Sequence, residues 1–217
     1  MLNIITVAGL KGGVGKSSIS RVLAEKIEAS ILNFDPKRNA ELYNSIETLN
    51  IKEDSKIERK RDYLIVDNSK ISSKKGYLIC DFGGQFDTRI LNINSDIYLL
   101  PTADDFESIS ETIRTAKMIL SSKKEAKIIF ILNKYLIRNK KDEVQALEDF
   151  KEILKENDLE KYTILEMPYS KLFKNIVNFG LTKEQIISKN KLLKNSYKNI
   201  NKFINQLEKE IKKELEK

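Results

Sequence analysis

The feature that most constrains the fold of this chain is a glycine-rich segment at residues 11–18, KGGVGKSS. An apolar, strand-like run at residues 2–10 precedes it, and a helical pattern begins within it near Lys16. Glycines let the backbone approach a phosphate closely with its amides pointing inward, and the N-terminus of a helix adds a partial positive charge. The order of strand, glycine-rich turn and helix therefore predicts a phosphate-binding site.

The residue types in this segment predict how a nucleoside triphosphate would be bound. Lys16 would reach the β- and γ-phosphates, and the hydroxyl of Ser17 would ligate Mg²⁺. The usual pattern G-x-x-x-x-G-K-[ST] fails because Leu10 stands where its first glycine belongs, and the deviant form K-G-G-x-G-K-[ST] matches instead. A glycine turn that only caps a helix is the alternative. The predicted phosphate-loop residues are Lys11, Gly12, Gly13, Val14, Gly15, Lys16, Ser17 and Ser18.

Short apolar runs alternate with longer helical patterns along the chain, which is typical of βα units and a mainly parallel sheet. Several runs are continuously apolar, as strands covered on both faces must be. We therefore predict an α/β fold whose mostly parallel, twisted sheet has helices on both faces. The predicted strands are residues 2–7, 30–34, 63–66, 77–80, 97–100, 127–132 and 162–167. The predicted helices are residues 16–29, 106–120, 141–157 and a C-terminal segment at about 183–217.

The length of 217 residues and the lack of a linker rich in proline or glycine favour a single domain over residues 1–217. The polar stretch at residues 50–61 is interpreted as an irregular, variable excursion. No apolar run approaches the roughly 18 residues of a membrane-spanning helix, and the N-terminus lacks the pattern of a secretory signal. Together with a single cysteine, these features predict a cytoplasmic protein.

Lys11, at the head of the loop, resembles the signature lysine of the ParA/MinD ATPases, and the resemblance covers residues 2 to about 182. It implies a P-loop NTPase fold, ATP and Mg²⁺ as ligands, and weak basal ATP hydrolysis. In that family two ATP-bound subunits pack face to face, and this lysine contacts the nucleotide of the partner. The resemblance therefore implies an ATP-dependent homodimer in which the loop lysines neutralise the charge of the phosphates.

Asp35, in SILNFDPKRNA, resembles the second acid of the family's D-x-D-P motif. By that resemblance it would position the attacking water and help to hold the magnesium shell. The first acid of the motif is replaced by Asn33, and the glutamine that usually follows the proline is replaced by Lys37. An ordinary Asp–Pro turn is the alternative for Asp35.

Asp81, in YLICDFGG, ends an apolar run and resembles the Walker B acid, which would contact Mg²⁺ through a water. Gly83 and Gly84 would let the following loop move with the γ-phosphate. A strand-end aspartate that caps the next turn is the alternative. The resemblance thus implies Ser17, Asp35 and Asp81 as metal-site residues, and Lys11, Lys16 and Asp35 as catalytic residues.

The adenine base is expected near the ends of two later strands, because relatives often bind it there. Asn133 ends the run FILN, and Met167 and Pro168 follow the next strand. Simple turn chemistry is an equal alternative for these residues. The guanine signature N-K-x-D is absent, since LNKYL has no acid at the required place. ATP is therefore predicted rather than GTP.

Two single residues, Cys80 and Lys11, argue against assigning the chain to two other branches of the superfamily. The iron–sulfur branch needs more than one cysteine per subunit, whereas Cys80 is alone and is interpreted as a small core residue. Metabolic ligases such as dethiobiotin synthetase lack the signature lysine, so Lys11 argues against them. A nucleotide-binding scaffold that does not hydrolyse ATP stays open, because Asn33 replaces the first acid.

The net charge of +7 is concentrated near the C-terminus, where residues 185–207 contain no acid. An apolar stripe over residues 193–215 at spacings of three and four predicts an amphipathic helix with its lysines on another face. This helix could pack on the domain with solvated lysines, bind a membrane, or bind nucleic acid; glutamates at its extreme end disfavour an anionic membrane. The candidate DNA-binding residues are Lys189, Lys191, Lys194, Lys198 and Lys202.

These features together favour a short ParA-type partition ATPase that binds DNA non-specifically as an ATP-bound dimer. A ParB-like centromere-binding protein would stimulate hydrolysis and so release the dimer; this partner is implied by the resemblance alone. The protein would associate with the nucleoid, without stable membrane association. The main alternative is a MinD-like positioning switch for a membrane or protein cargo.

Overall fold

The structure, a computed structural model, describes residues 1–35, 46–73, 75–84, 87–133, 140–168, 185, 188 and 194–216. Its strands are β1 (Asn3–Val7), β2 (Ser30–Asn33), β3 (Thr48–Asn50), β4 (Ile57–Arg59), β5 (Leu64–Val66), β6 (Ser69–Ile71), β7 (Tyr77–Asp81), β8 (Ile97–Ala103), β9 (Ile128–Asn133) and β10 (Thr163–Met167). Seven of them form the central sheet in the order β10-β9-β8-β1-β7-β2-β3. Every neighbouring pair in this sheet is parallel.

Helices cover both faces of the central sheet. They are α1 (Lys16–Ile27), α2 (Arg89–Asn92), α3 (Phe106–Ser122), α4 (Lys140–Glu156) and α5 (Lys194–Glu216). Ile5 of β1 lies in one core with residues of α1 and α5, whereas its neighbour Ile4 lies in the other core with residues of α2, α3 and α4. Successive strand residues thus point into opposite cores, which is why the strands are continuously apolar. The predicted α/β fold is confirmed.

Two predictions about the segment before β7 need correction. The predicted strand at residues 63–66 is present as β5, but it is the centre of a separate antiparallel sheet, β4-β5-β6. The interpretation of residues 50–61 as irregular was wrong, because β3 ends and β4 lies within this stretch. These strands are three residues long and partly exposed, so they lack the apolar runs that marked the others.

The antiparallel sheet is closed by a tight turn, and an ion pair of Arg59 connects it to the rest of the domain. Asp67 and Asn68 have φ values of 48° and 67°, a left-handed pair that suits a two-residue hairpin between β5 and β6. Arg59 of β4 contacts the Asp96 carboxylate at 2.8 Å, and Asp96 accepts the amide of Ile4 at 2.7 Å. The small sheet therefore lies at the amino end of β1, away from the glycine-rich loop.

The C-terminal segment forms a helix packed on α1. Of the predicted apolar stripe, Ile200, Ile204, Leu207 and Ile211 are buried in the core that α1 shares. Tyr197 belongs to α5, but its side chain lies outside the described part of the chain, as does Leu193. Among the residues that the structure describes, no helix has the length and apolarity needed to cross a membrane.

Candidate functional site

The glycine-rich loop lies at the carboxyl edge of the parallel sheet, between β1 and α1. Gly13 and Gly15 have φ values of 82° and 98°, which strain any residue with a side chain. Gly15 is the N-cap of α1, and the first turn of that helix has neither an acidic residue nor a side-chain cap. The backbone amides at the start of α1 are therefore not hydrogen-bonded to a capping side chain, and they can donate to a bound anion.

Lys16 and Ser17 are buried at the first turn of α1, each with 3% of its surface exposed. The ammonium of Lys16 donates to the backbone oxygen of Lys11 at 2.7 Å, so it lies at the head of the loop. A buried cation at a helix N-terminus favours a polyanion beside it. The contact of Lys16 with phosphate and of Ser17 with Mg²⁺ stays a prediction.

Asp81 lies next to the loop, because β7 is the neighbour of β1 and Asp81 is in register with Val7. Its carboxylate is buried and accepts a hydrogen bond from the hydroxyl of Ser20 at 3.0 Å. The sequence analysis missed Ser20, although it lies one helical turn after Lys16 on the face that packs on β7. Hydroxyl and carboxylate oxygens are hard donors that suit Mg²⁺. Ser17 and Asp81 therefore fit the predicted metal.

Asp35 follows β2, the other neighbour of β7, and Asn33 holds its backbone. The Oδ1 atom of Asn33 accepts the Asp35 amide at 3.1 Å, and its Nδ2 atom donates to Oδ1 of Asn50 at 2.8 Å. A Cβ atom at Gly83 would lie 3.3 Å from the Asp35 carboxyl carbon. The structure thus brings Asp35 against the loop after β7, on the same edge as Asp81. Lys37 lies outside the described residues.

The loop after β7 touches the glycine-rich loop through backbone atoms. A Cβ atom at Gly84 would lie 2.9 Å from both the nitrogen and the Cα of Gly12, so no side chain fits there. The loop predicted to bind phosphate and the loop predicted to move with the γ-phosphate are therefore in direct contact. If either loop moves toward the other, the second loop must move as well.

Asn133 and Met167 lie against the far side of the glycine-rich loop. Nδ2 of Asn133 donates to the backbone oxygen of Val14 at 3.1 Å. A Cβ atom at Gly15 would lie 3.0 Å from that nitrogen and 3.1 Å from Cε of Met167. The ends of β9 and β10 thus support the loop, a role that the sequence analysis missed. Contact of these two residues and the half-buried Pro168 with adenine stays a prediction.

Lys11 makes a contact that the sequence did not predict. Its ammonium lies 2.5 Å from the Glu107 carboxylate, in the first turn of α3. The hydrogen bond to Glu107, with the negative charges of Glu107, Asp105 and Glu111, raises the pKa of Lys11. The lysine therefore stays cationic over the whole physiological range. Its partner is 96 positions away in the sequence, so no local motif could reveal the pair.

The remaining predicted residues lie at the end of the glycine-rich segment, on other elements, or outside the described part of the chain. Ser18, the second residue after Lys16, is half-buried in α1. Lys198 and Lys202 are exposed on α5. Lys194 begins that helix, but its side chain is outside the described residues, as are Lys189 and Lys191. Cys80 is buried in the core, as predicted, and burial raises its pKa to about 12.

A comparison with protein-family models gives a match over most of this chain. The family model of the CobQ/CobB/MinD/ParA nucleotide binding domain matches residues 5–183. No curated protein sequence matches the chain.

Solved structures with the same fold are similar over almost the whole chain. McdA of Cyanthece is 15% identical with a TM-score of 0.60, over 95% of this chain and 99% of that chain. A protein of Borrelia burgdorferi B31 assigned to plasmid partition and bound to AMPPNP is 18% identical with a TM-score of 0.58, over 94% and 98%. The cell division ATPase MinD of Pyrococcus furiosus is 17% identical with a TM-score of 0.58, over 96% and 99%. At these identities the similarity shows a shared fold.

Proposed function

Because this chain belongs to the CobQ/CobB/MinD/ParA family of nucleotide-binding domains, we propose that it is a ParA-type partition ATPase. It dimerises on binding ATP, holds DNA non-specifically, and hydrolyses ATP when a ParB-like, centromere-binding partner stimulates it. One observation carries the nucleotide part of the proposal: a glycine loop with positive φ angles leads into a helix that begins with buried Lys16 and Ser17, and buried Asp81 ends the neighbouring strand. Members of this family are ATPases.

Each residue of the site has a role in the proposed reaction. Lys16, and Lys11 of a second copy, neutralise charge on the phosphates, and α1 adds the partial charge of its N-terminus. Ser17 and Asp81 would hold Mg²⁺, which supplies further positive charge to the β- and γ-phosphates when bound. Asp35 orients the attacking water, which makes it the residue on which hydrolysis depends most directly. Lys11 and Lys16 thus neutralise negative charge on the phosphates, whereas Asp35 positions the attacking water.

The exposed lysines of α5 support DNA, and not a membrane, as the surface to which the dimer binds. The apolar stripe of the helix is buried against α1, while Lys198 and Lys202 stay exposed. A membrane-binding helix needs its apolar face free to enter the lipid, and here that face is in the core. Lysines that contact phosphates need no exposed apolar surface. The arrangement therefore favours a polyanion over a lipid surface.

The proposal is tested by measuring mass with light scattering in ADP and in AMPPNP with Mg²⁺, each with and without a DNA duplex. We expect a monomer in ADP, and in AMPPNP a dimer that retains DNA. Lys16→Ala, which removes the phosphate-binding ammonium, is the matched control and should stay monomeric in both nucleotides. A wild-type chain that remains a monomer in AMPPNP and ignores DNA would refute the proposal.

A MinD-like positioning switch is the second candidate, since MinD of Pyrococcus furiosus has the same TM-score as the Borrelia protein. In that case the ATP-bound dimer would recruit a membrane or protein cargo, and DNA would be irrelevant. Co-sedimentation with anionic liposomes and with DNA, each in ADP and AMPPNP, separates the two. ATP-dependent pelleting with liposomes and none with DNA would select the switch.

A further inference from the structure

A cavity of about 270 Å³ lies at the amino edge of the central sheet, between α2, the start of β8 and the end of α3. It is lined by Leu91, Asn94, Tyr98, Ile119, Ser122 and Lys123. Tyr98 and Ile119 are each 1% exposed and close its floor. Asn94 and Ser122 are exposed at its rim. At about 30 Å³ for each water molecule, the cavity has the volume of about nine waters, which is enough for a small organic molecule.

Lys123 provides an ammonium group in this cavity, and the charge of that group is compensated only in part. The ammonium donates to Oδ1 of Asn94 and to the backbone oxygen of Ser95, both at 2.9 Å. Both acceptors are neutral, and among the residues that the structure describes no carboxylate forms an ion pair with Lys123. Burial lowers the pKa of Lys123 more than the negative charge of Asp96 raises it. Since an ammonium has three donors, an anion in the cavity can accept the third and stabilise the charge.

The charges around the cavity suit a ligand with a single negative charge. Arg59 and Lys127 also lower the pKa of Lys123 by repulsion, so the surroundings are positive. The guanidinium of Arg59 is held by the Asp96 carboxylate at 2.8 Å, however, and the ammonium of Lys127 contacts a backbone oxygen of α5. Lys123 is therefore the cation that a bound ligand meets. A doubly charged phosphate group would lack a second partner.

We propose that this cavity binds a small organic monocarboxylate, whose carboxylate pairs with the Lys123 ammonium while its hydrocarbon body lies against Leu91 and Ile119. The ring of Tyr98 extends this apolar floor, and the hydroxyl of Ser122 can donate to the carboxylate. A charge-assisted hydrogen bond combined with an apolar floor is the usual composition of a small-molecule site. The cavity lies at the opposite edge of the sheet from the glycine-rich loop, so the chain can hold a nucleotide and a carboxylate at once.

The site is tested by isothermal titration calorimetry with benzoate, phenylacetate and hexanoate, in the presence of AMPPNP and Mg²⁺. At least one of these probes is expected to bind with a Kd below roughly 1 mM. Benzamide and phenylacetamide have the same shape without the charge, and they should bind at least about tenfold more weakly. Lys16→Ala, titrated without nucleotide, should bind the carboxylate as the wild type does. That arm excludes the glycine-rich loop as the binding site and keeps the test separate from the proposed function.

Three variants assign the binding to this cavity. Lys123→Met keeps a long side chain without the charge and should weaken carboxylate binding about tenfold or more. Lys124→Met is the matched control, because Lys124 is the next residue, is exposed and does not line the cavity. It should bind within about twofold of wild type. Leu91→Phe fills part of the cavity and keeps the ammonium; it should also weaken binding, and it decides the matter if Lys123→Met does not fold.

The outcomes separate a ligand site from a structural lysine. Unchanged binding in Lys123→Met, or an equal loss in Lys124→Met, overturns the site. A wild-type chain that binds none of the three carboxylates at roughly 10 mM overturns it as well. Lys123 would then act only on the end of α3, where a cation interacts favourably with the helix dipole. Binding that is lost in Lys16→Ala places the probe in the glycine-rich loop and also overturns the site. None of these results bears on whether the chain hydrolyses ATP.

Discussion

Asn33 connects β3, at the edge of the central sheet, to Asp35, the proposed catalytic aspartate. It is 1% exposed, and its side chain accepts from the Asp35 amide while it donates to Asn50. An amide can accept and donate at once, whereas a carboxylate only accepts. Asparagine in place of the family's acid therefore removes one negative charge beside Asp81 and gains a donor toward β3. The Asn33 side chain therefore acts on Asp35 by holding the Asp35 backbone in place.

Asn33→Ala should slow ATP turnover by roughly ten- to a hundredfold while the affinity for ATP changes little. The reason is that the Asp35 amide loses its acceptor, and small displacements of a positioning group are costly. Single-turnover phosphate release gives the rate, and a fluorescent ATP analogue gives the affinity.

Asn50→Ala is the matched control for this prediction, since it removes only the acceptor of the Asn33 amide. Its turnover should fall less than that of Asn33→Ala. If Asn33→Ala keeps the wild-type turnover while Asp35→Ala loses it, Asn33 has no part in placing Asp35.

At the scale of elements, α3 depends on a well-formed cap. The carboxylate of Asp105 accepts the Ser108 amide at 2.9 Å and the Ser108 hydroxyl at 2.6 Å. The hydroxyl bond, followed by the amide bond, lowers the pKa of Asp105. This cap fixes the first turn of α3, which carries Glu107, the residue that contacts Lys11.

Asp105→Ala should lower the free energy of unfolding by about 1 kcal/mol at pH 7. Since folding lowers the pKa of this carboxyl, its stabilisation is present above the ordinary pKa of about 4 and is lost as pH falls through the folded value. The difference between wild type and variant should therefore shrink toward pH 3. Urea unfolding at several pH values measures it.

Asp105→Asn is the control for the charge, because asparagine also caps helices. It should keep most of the stability at pH 7 and lose the acid dependence. A deficit in Asp105→Ala that is the same at pH 7 and pH 3 would contradict the role of the carboxylate.

Six of the seven strands of the central sheet could be predicted because each is a local apolar run, whereas the edge strand β3, which is half-buried to exposed, could not. The strands β4 and β6 could not, since three half-exposed residues leave no periodic signal. The glycine loop is also a local pattern, so its position between a strand and a helix could be predicted. The contacts of Asn133 with Val14 and of Lys11 with Glu107 join distant parts of the chain. Such pairs depend on the order of strands in the sheet, which no short motif encodes.

At the scale of the whole molecule, α5 connects the lysine-rich surface to the proposed nucleotide site through α1. Ile204 and Leu207 of α5 share a core with Leu23 of α1, the helix that begins at the glycine loop. Glu208 also contacts Lys26 of α1 at 3.4 Å. The acidic residues of α5 lie in its C-terminal half, away from Lys198 and Lys202.

Replacing Lys198 and Lys202 together by glutamine should weaken DNA binding and lower its salt dependence. Each lost phosphate contact reduces the slope of log K against log salt by about 0.9, so the loss is up to about 2 for the pair. DNA affinity in AMPPNP, measured at several salt concentrations by fluorescence anisotropy, gives the slope. ATP turnover without DNA should not change.

Lys212 and Lys213 provide the matched control on the same helix. They contact Glu208 and Glu210 at 2.7 Å and 3.2 Å, so their charge is already compensated. Their replacement by glutamine should change the salt slope less. Equal losses in the two double variants would mean that α5 acts only through its total charge.

The backbones of Gly84 and Gly12 approach so closely that a Cβ atom added at Gly84 would lie 2.9 Å from both the nitrogen and the Cα atom of Gly12. Position 84 therefore admits only glycine unless one of the two loops is displaced. A substitution there would alter the shape of the proposed site without removing any of its charged groups.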